Sequence, residues 1–261
     1  MPTVLTIAGS DSSGGAGIQG DLKTFAALGV YGACAITAIT AQNTEGVVQS
    51  AGLAADLVTA QIEAVRSDID IHATKTGMLV TAAIVEAVAA AIEELDLPMV
   101  VVDPVILSQN GHCLLDDDGL QMLKVELLPR AMVVTPNLPE ASALSGRAIA
   151  SPDDAREAAR RIRATGPSAV IVTGGHGAGD EIVDLLYDGT DFVEFRTPRI
   201  HSRSTHGTGC AFSSAVAAYL ALGHELRDAA ARAQAYVAGA IRHAPNIGKG
   251  HGPLNHFWNR R

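Results

Sequence analysis

The stretch HGTGCAFSSAVAAYLAL, residues 206–222, joins a glycine-broken turn directly to an apolar helical run. Glycine carries no Cβ, so Gly207 and Gly209 let backbone N–H groups turn inward, and a helix opening at Thr208 leaves its first amides without intrahelical partners. Such a helix start is a ready anion site. Cys210 stands in the same turn, where the positive helix end is expected to lower a thiol pKa. Read alone, these residues fit either a phosphate site or a glycine-bent helix start with a small buried cysteine. The rest of the chain has to decide between them.

Outward from that turn, short apolar runs alternate with helical patterns. Strands are expected at residues 4–8, 33–41, 71–76, 99–102, 131–135 and 169–173, with a flap-like strand at 47–53. Helices are expected at 16–28, 55–69, 81–95, 116–128, 137–145 and 151–164, the last with Ser151 as N-cap and Pro152 at the first helical position. A loop through Gly111 precedes the 116–128 helix. Residues 182–187 and 192–196 face each other across Asp188 and Gly189, which predicts a hairpin. Strands apolar along their whole length belong to a mostly parallel sheet covered on both faces. The fold class that follows is α/β: a three-layer α/β/α domain with an antiparallel edge hairpin, one domain over residues 1–261.

Composition agrees and sets limits. A chain of 261 residues that is 48% hydrophobic can bury a large core. With 28 acidic against 19 basic residues, and a formal charge of −9, neither nucleic acid nor an anionic membrane is an expected partner. Cys34, Cys113 and Cys210 lack the spacing of a zinc knuckle and are odd in number, so a reducing, cytoplasmic setting is expected. No run has the length of a membrane span, and the N-terminus lacks the charge pattern of a signal peptide.

In sheets of this kind, ligands gather at the carboxyl ends of the strands. Gly15, Gly17 and Gly20 satisfy G-x-G-x-x-G literally, yet they begin well beyond the first strand, and the second strand ends in Gln42 where a ribose-binding acid would stand. A dinucleotide site is therefore rejected, as is a P-loop, whose G-x-x-x-x-G-K-[ST] does not occur. The glycine loop can still close over a small ligand with its amides. The Gln42 amide offers a donor beside an acceptor, which suits the edge of an aminopyrimidine, although a lone glutamine more often only caps a strand end. Asp21 reads as a solvated helix residue, and Met78 as core. Asp103, Asn137 and Glu140 follow neighbouring strands and bring three oxygen donors together, a set that suits Mg²⁺ bridging phosphates; any one of them alone would read as a helix cap.

Seven segments in order, TIAGSDSSGGAGIQGDLKTF (6–25), ITAQNT (39–44), TGML (76–79), VVDPV (101–105), TPNLPEA (135–141), HGTGC (206–210) and GKGHGPLNHF (248–257), resemble the hydroxymethylpyrimidine and phosphomethylpyrimidine kinases of thiamine biosynthesis, which have the ribokinase-like fold. The resemblance implies ATP and Mg²⁺ as cofactors. It also implies phosphorylation of 4-amino-5-hydroxymethyl-2-methylpyrimidine, then of its monophosphate to the diphosphate. By position, Ala16, Asp21, Gln42, Met78 and Val105 would hold the pyrimidine. Asp103, Asn137 and Glu140 would organise the metal. The amides of Gly207, Thr208, Gly209 and Cys210 would hold the transferred phosphoryl, with Thr208 and Gly209 also on the nucleotide. Cys210 stands where other ribokinase relatives carry an aspartate base, and a base role there implies a greater effect on the first phosphorylation than on the second. The chain departs from the family at Thr173, where many members have lysine, and Lys75 or Lys249 would have to compensate. Ala238 and Ile241 of the last helix would wall the adenine pocket unless they are simple core.

Two other functions fit less of the sequence. One is a pyridoxal kinase of the same fold; the other is a catalytically silent pyrimidine-binding regulator, which the intact anion turn and metal-ligand set disfavour. The apolar flap at 47–53 predicts a homodimer, as in the family.

Overall fold

The computed structural model describes residues 1–108, 111–176 and 179–259. Strands β1 (Thr3–Asp11), β2 (Tyr31–Asn43), β3 (Gly46–Gly52), β4 (Ala73–Thr76), β5 (Val100–Val102), β6 (Val133–Val134), β7 (Ala169–Val172), β8 (Glu181–Tyr187) and β9 (Phe192–Pro198) form one sheet. Their order is β3-β2-β1-β4-β5-β6-β7-β8-β9. The six strands from β2 to β7 in that order are parallel, and β8 and β9 form the expected antiparallel edge. The opposite edge is antiparallel too. β3 folds back on β2 because the Asn43 side chain accepts hydrogen bonds from the amides of Glu45 and Gly46, closing a tight turn.

Alternation along the short strands sends their side chains to two separate cores. Leu5, Val102 and Val134 enter the core on one face, and Val4, Val101 and Val133 the core on the other. Helices α2 (Ala55–Arg66), α3 (Ala82–Glu94), α4 (Asp117–Met122), α5 (Leu138–Ser145) and α6 (Pro152–Arg163) supply the first core with residues such as Ile62, Val88, Ala141 and Ile162. The second core is built by α1 (Gly17–Leu28), α7 (Thr208–Ala221) and α8 (Leu226–Arg242), through Phe25, Phe212 and Tyr236 among others. Together they make the three layers that the alternating pattern requires. Among the described residues no helix is long and apolar enough to cross a membrane.

Helices α3 and α6 start where the sequence puts them, and each carries a cap. Thr81 accepts from the amide of Ile84 at the start of α3, and Ser151 from that of Asp154 ahead of Pro152 in α6. The single helix expected at 116–128 is instead three pieces: α4, a π-helical turn at Leu123–Leu127 and a 3-10 turn at Leu128–Arg130. Pro129 is the physical reason. It has no N–H for the carbonyl four residues back and its ring crowds that carbonyl, so the preceding turn widens until the Leu128 amide bonds to Leu123. Part of the loop expected before α4 lies outside the described residues. β1 also runs past residue 8, through a register shift between Ala8 and Ser10, and so carries Asp11 to the edge of the site.

Candidate active site

A cavity of about 630 Å³ opens at the carboxyl ends of the parallel strands. Its floor is the start of α7. Gly207 has φ 82°, a left-handed conformation, and a Cβ there would run into the carbonyl of Gly15. Thr208 closes the turn by donating from Oγ1 to the carbonyl of Thr205 at 2.7 Å. At Gly209 a Cβ would meet nothing within 4 Å, so protein packing does not require a glycine there, whereas a bound group approaching the backbone would. Gly207, Thr208, Gly209 and Cys210 all face the cavity, as does each expected metal residue, Asp103, Asn137 and Glu140.

The glycine loop is anchored from below by Asp11. Its carboxylate accepts from the amides of Ser13 (2.8 Å), Gly15 (3.1 Å) and Ala16 (2.9 Å) and from Nε2 of His206 (2.8 Å). Burial works against the charge, but the hydrogen bonds from His206, Ser13 and Ala16 outweigh it and hold the carboxyl at about 2. The loop and the anion turn are therefore one unit. Gly15 lies against the His206 ring with no room for a side chain.

Of the five residues expected to hold a pyrimidine, Ala16, Gln42, Met78 and Val105 line the cavity and Asp21 does not. The expectation for Asp21 is corrected on both counts, since it is neither a ring contact nor solvated. It is fully buried and accepts from Thr6 Oγ1 (2.6 Å), Ser214 Oγ (2.6 Å) and Lys75 Nζ (3.0 Å). The reason is Lys75, which β4 carries into the interior with no exposed surface and which needs a counter-charge. Burial lowers the affinity of Lys75 for its proton, but Asp21, Cys210 and Asp103 together raise its pKa above the ordinary lysine range. Its Nζ also lies 3.8 Å from Asp103 Oδ2, at the cavity floor.

Cys210 departs from expectation as well. Burial pushes its thiol up to about 12; Lys75 opposes this, while Asp103 and Asp21 add to it. The helix end does not overcome that environment, so the group is a neutral thiol at pH 7 rather than a resting thiolate. Nearby, Asp103 is buried, its pKa raised mainly by desolvation, and it accepts from Ser213 Oγ at 3.0 Å. Glu140 is pushed up to about 8, first by burial and then by the charge of Asp103.

Asn137 and Glu140 form a reciprocal capping box at the start of α5: each backbone N–H donates to the other's side chain at 2.9 Å. Asn137 thus serves first as a cap, and the cap aims Glu140 at Asp103. Two buried carboxylates lining one cavity, with the charge of Asp103 raising the pKa of Glu140, are a hard-oxygen donor set that a cation would relieve. Among the described residues no group of three or more His, Cys, Asp and Glu side chains is placed to hold a metal ion.

At the far end of the cavity Ile241 lies with Ile182 and Ile200, whereas Ala238 is not part of the wall. Thr173 and Arg199 line the same end. Arg199 donates to the carbonyls of Gly179 and Gly175. Pattern reading gave no role to the Asp11 or His206 side chain, and it weighed Lys75 only as a substitute for the lysine missing at Thr173. A lysine between Thr74 and Thr76 in a buried strand is itself the signal of an internal ion pair.

Residues 11–255 match the phosphomethylpyrimidine kinase family. The chain is 50% identical over 255 residues to the thiamine biosynthesis bifunctional protein ThiED of Geobacter sulfurreducens, covering 98% of this chain and 52% of that protein. It is also 50% identical over 258 residues to the hydroxymethylpyrimidine/phosphomethylpyrimidine kinase of Rhizobium meliloti, covering 97% of this chain and 96% of that one. The pyridoxal kinase from Staphylococcus aureus in complex with AMP-PCP and pyridoxal aligns with a TM-score of 0.91 at 38% identity, over 100% of this chain and 96% of that one. With a ribokinase-like sheet, an anion turn at the start of α7 and this identity over nearly its whole length, the chain belongs to the phosphomethylpyrimidine kinase family.

Proposed function

We propose that this chain uses MgATP to phosphorylate the hydroxymethyl group of 4-amino-5-hydroxymethyl-2-methylpyrimidine, and then the monophosphate to the diphosphate. The observation that carries this reading is that one cavity is lined both by Ala16, Gln42, Met78 and Val105 and by the anion turn with Asp103 and Glu140. A ring and a phosphoryl group bound to these two sets of residues would meet at the anion turn. Backbone amides at the head of α7 hold the phosphoryl oxygens, and the bare Cα of Gly209 lets them approach. Asp103 and Glu140 would hold Mg²⁺, which would offset the negative charge of the phosphates.

Phosphoryl transfer has a loose transition state, so positioning and charge stabilisation outweigh base strength. Cys210, a neutral thiol at the floor, contributes shape and a weak hydrogen bond rather than a resting base. In the second step the nucleophile is already a phosphate anion and needs no base. Lys75 sits beneath the turn as a fixed positive charge that compensates Asp21 and Asp103.

A homodimer is part of the same reading, supported by apolar side chains left at the sheet edge: Val48 of β3 is 81% exposed and Ile39 of β2 is 52% exposed. A cytoplasmic setting, where ATP is available and the three cysteines would stay reduced, is part of the same reading. The test is ADP release with MgATP and, separately, hydroxymethylpyrimidine, its monophosphate and pyridoxal, with products resolved by mass. Turnover of both pyrimidines is expected. Turnover of pyridoxal alone would transfer the assignment to a pyridoxal kinase, the activity named for the Staphylococcus aureus structure.

A further inference from the structure

His206 stands immediately before the anion turn, and its ring reaches Asp11 at the end of β1 and Gln42 near the end of β2. Nε2 lies 2.8 Å from Asp11 Oδ2 and 3.3 Å from Nε2 of Gln42. An ionised carboxylate is acceptor-only, so the His206 nitrogen facing it carries the hydrogen. As placed, then, the Gln42 amide nitrogen faces a second donor. The other end of the amide has a conflict of its own. Thr40 Oγ1 lies 3.1 Å from the carbonyl of Ser10 and 3.1 Å from Gln42 Oε1, but a hydroxyl has one hydrogen and cannot donate to both.

A half-turn of the amide, which exchanges two atoms of nearly equal size, removes both conflicts. Oε1 then accepts from the His206 N–H, which it shares with Asp11, and the amide nitrogen donates to Thr40 Oγ1, leaving that hydroxyl's hydrogen for Ser10. Neither anchor tolerates the reverse orientation. The ring that sets it is itself held by Asp11 and by close packing against Gly15.

We infer that His206 is a specificity-determining positioning residue: with Asp11 behind it and Thr40 opposite, it locks the Gln42 amide in one of its two orientations, so that the site reads the donor-acceptor polarity of the substrate ring edge. The inference rests on the proposal that Gln42 contacts the ring. A locked amide leaves one oxygen lone pair and one N–H, in fixed order, for the ligand. The edge of a 4-aminopyrimidine presents a donor beside an acceptor, and its 4-oxo counterpart presents the same two functions exchanged. A free amide would turn to suit either ring, whereas a locked one mispairs with the second.

The experiment compares kcat/KM for the 4-amino substrate and its 4-oxo analogue with each variant, as a ratio within one enzyme preparation. Because both rings use the same anion turn, a general defect in phosphoryl transfer cancels from the ratio. The natural sequence is expected to prefer the amino ring by about 100-fold or more, and His206→Leu to reduce that preference at least about tenfold. His206→Gln, which restores an N–H, should recover most of it. Thr40→Val frees the opposite end of the amide and should also relax the preference, so it decides the matter if His206→Leu does not fold. Loss of preference in Gln42→Ala together with full preference in His206→Leu, or in Thr40→Val where the leucine variant does not fold, would overturn the lock while sparing Gln42 as the ring contact. Full preference in Gln42→Ala would overturn the assignment of Gln42 and the lock with it, as would a natural sequence that uses both rings equally.

Discussion

Replacing Lys75 by methionine removes a positive charge with no exposed surface while keeping most of its volume. The partners left behind are unequal. Asp21 keeps hydrogen bonds from Thr6 and Ser214, and Asp103 keeps the one from Ser213, but neither retains a counter-ion. Removing one member of a buried pair typically costs about 3 to 5 kcal/mol, because the remaining charge is stranded in a poor solvent. Against a total stability of about 5 to 15 kcal/mol, that is a large fraction.

The pH dependence has a definite sign. Lys75 has a folded pKa raised above its unfolded value, so its contribution is fully present below the unfolded pKa and is lost only as the pH rises through the folded one, far above neutrality. The natural protein should therefore show no loss from this group between pH 5 and pH 8. In Lys75→Met the stranded Asp103, whose pKa burial already raises, binds protons more readily in the folded state than in the unfolded state. The folded variant then holds the excess of protons, and its stability falls as the pH rises from about 5 to 8. Urea unfolding followed by circular dichroism at both ends of that range measures the effect, and adding Asp21→Asn should recover at least half of the loss. A loss below about 1 kcal/mol at both pH values, with no recovery in the double variant, would refute the reasoning and mean that water already reaches this network.

Cys210→Ala should slow both phosphorylation steps by a similar factor, roughly tenfold, as a neutral thiol used for positioning implies; a single-turnover loss confined to the first step would restore the base role. Glu140, pushed up to about 8 by burial and by Asp103, binds protons in the folded state at pH values where the unfolded chain has released them. Its burial therefore costs stability that grows as the pH rises from about 4.5 towards 8, so Glu140→Gln should be more thermostable than the natural chain at pH 8 in chelator and indistinguishable near pH 4. Mg²⁺ should raise the melting temperature of the natural chain more at pH 8 than at pH 6, and that difference should vanish in Glu140→Gln. Val48→Asp should leave a folded monomer by sedimentation velocity where the natural chain sediments as a dimer, since a charge on an 81%-exposed strand position opposes an apolar interface without touching the core.

Much of the architecture was legible because its signals are local. Wholly apolar runs of strand length, a cap such as Ser151, and a glycine-rich helix start each act over a few residues, and neighbours in the chain suffice to state them. The gathering of Asp103, Asn137 and Glu140 was legible too, since a parallel sheet sends every strand end to the same rim. What the chain alone did not disclose depends on direction and distance between remote residues. Asp21 lies 54 positions from Lys75 and 193 from Ser214, and only packing turns it inward from an otherwise ordinary helix pattern. The thiol of Cys210 shows the same limit for energies. The helix start, a local feature, argues for a lowered pKa, but desolvation and two carboxylates, Asp21 of α1 and Asp103 just after β5, raise it to about 12. His206 reaches across 164 positions to Gln42 and 195 to Asp11. Sequence determined which chemical groups this protein has and which rim they occupy, because periodicity and strand polarity are properties of short segments. Tertiary structure decided which of those groups carry charge and which merely hold others in place, because both depend on what distant chain excludes water from them.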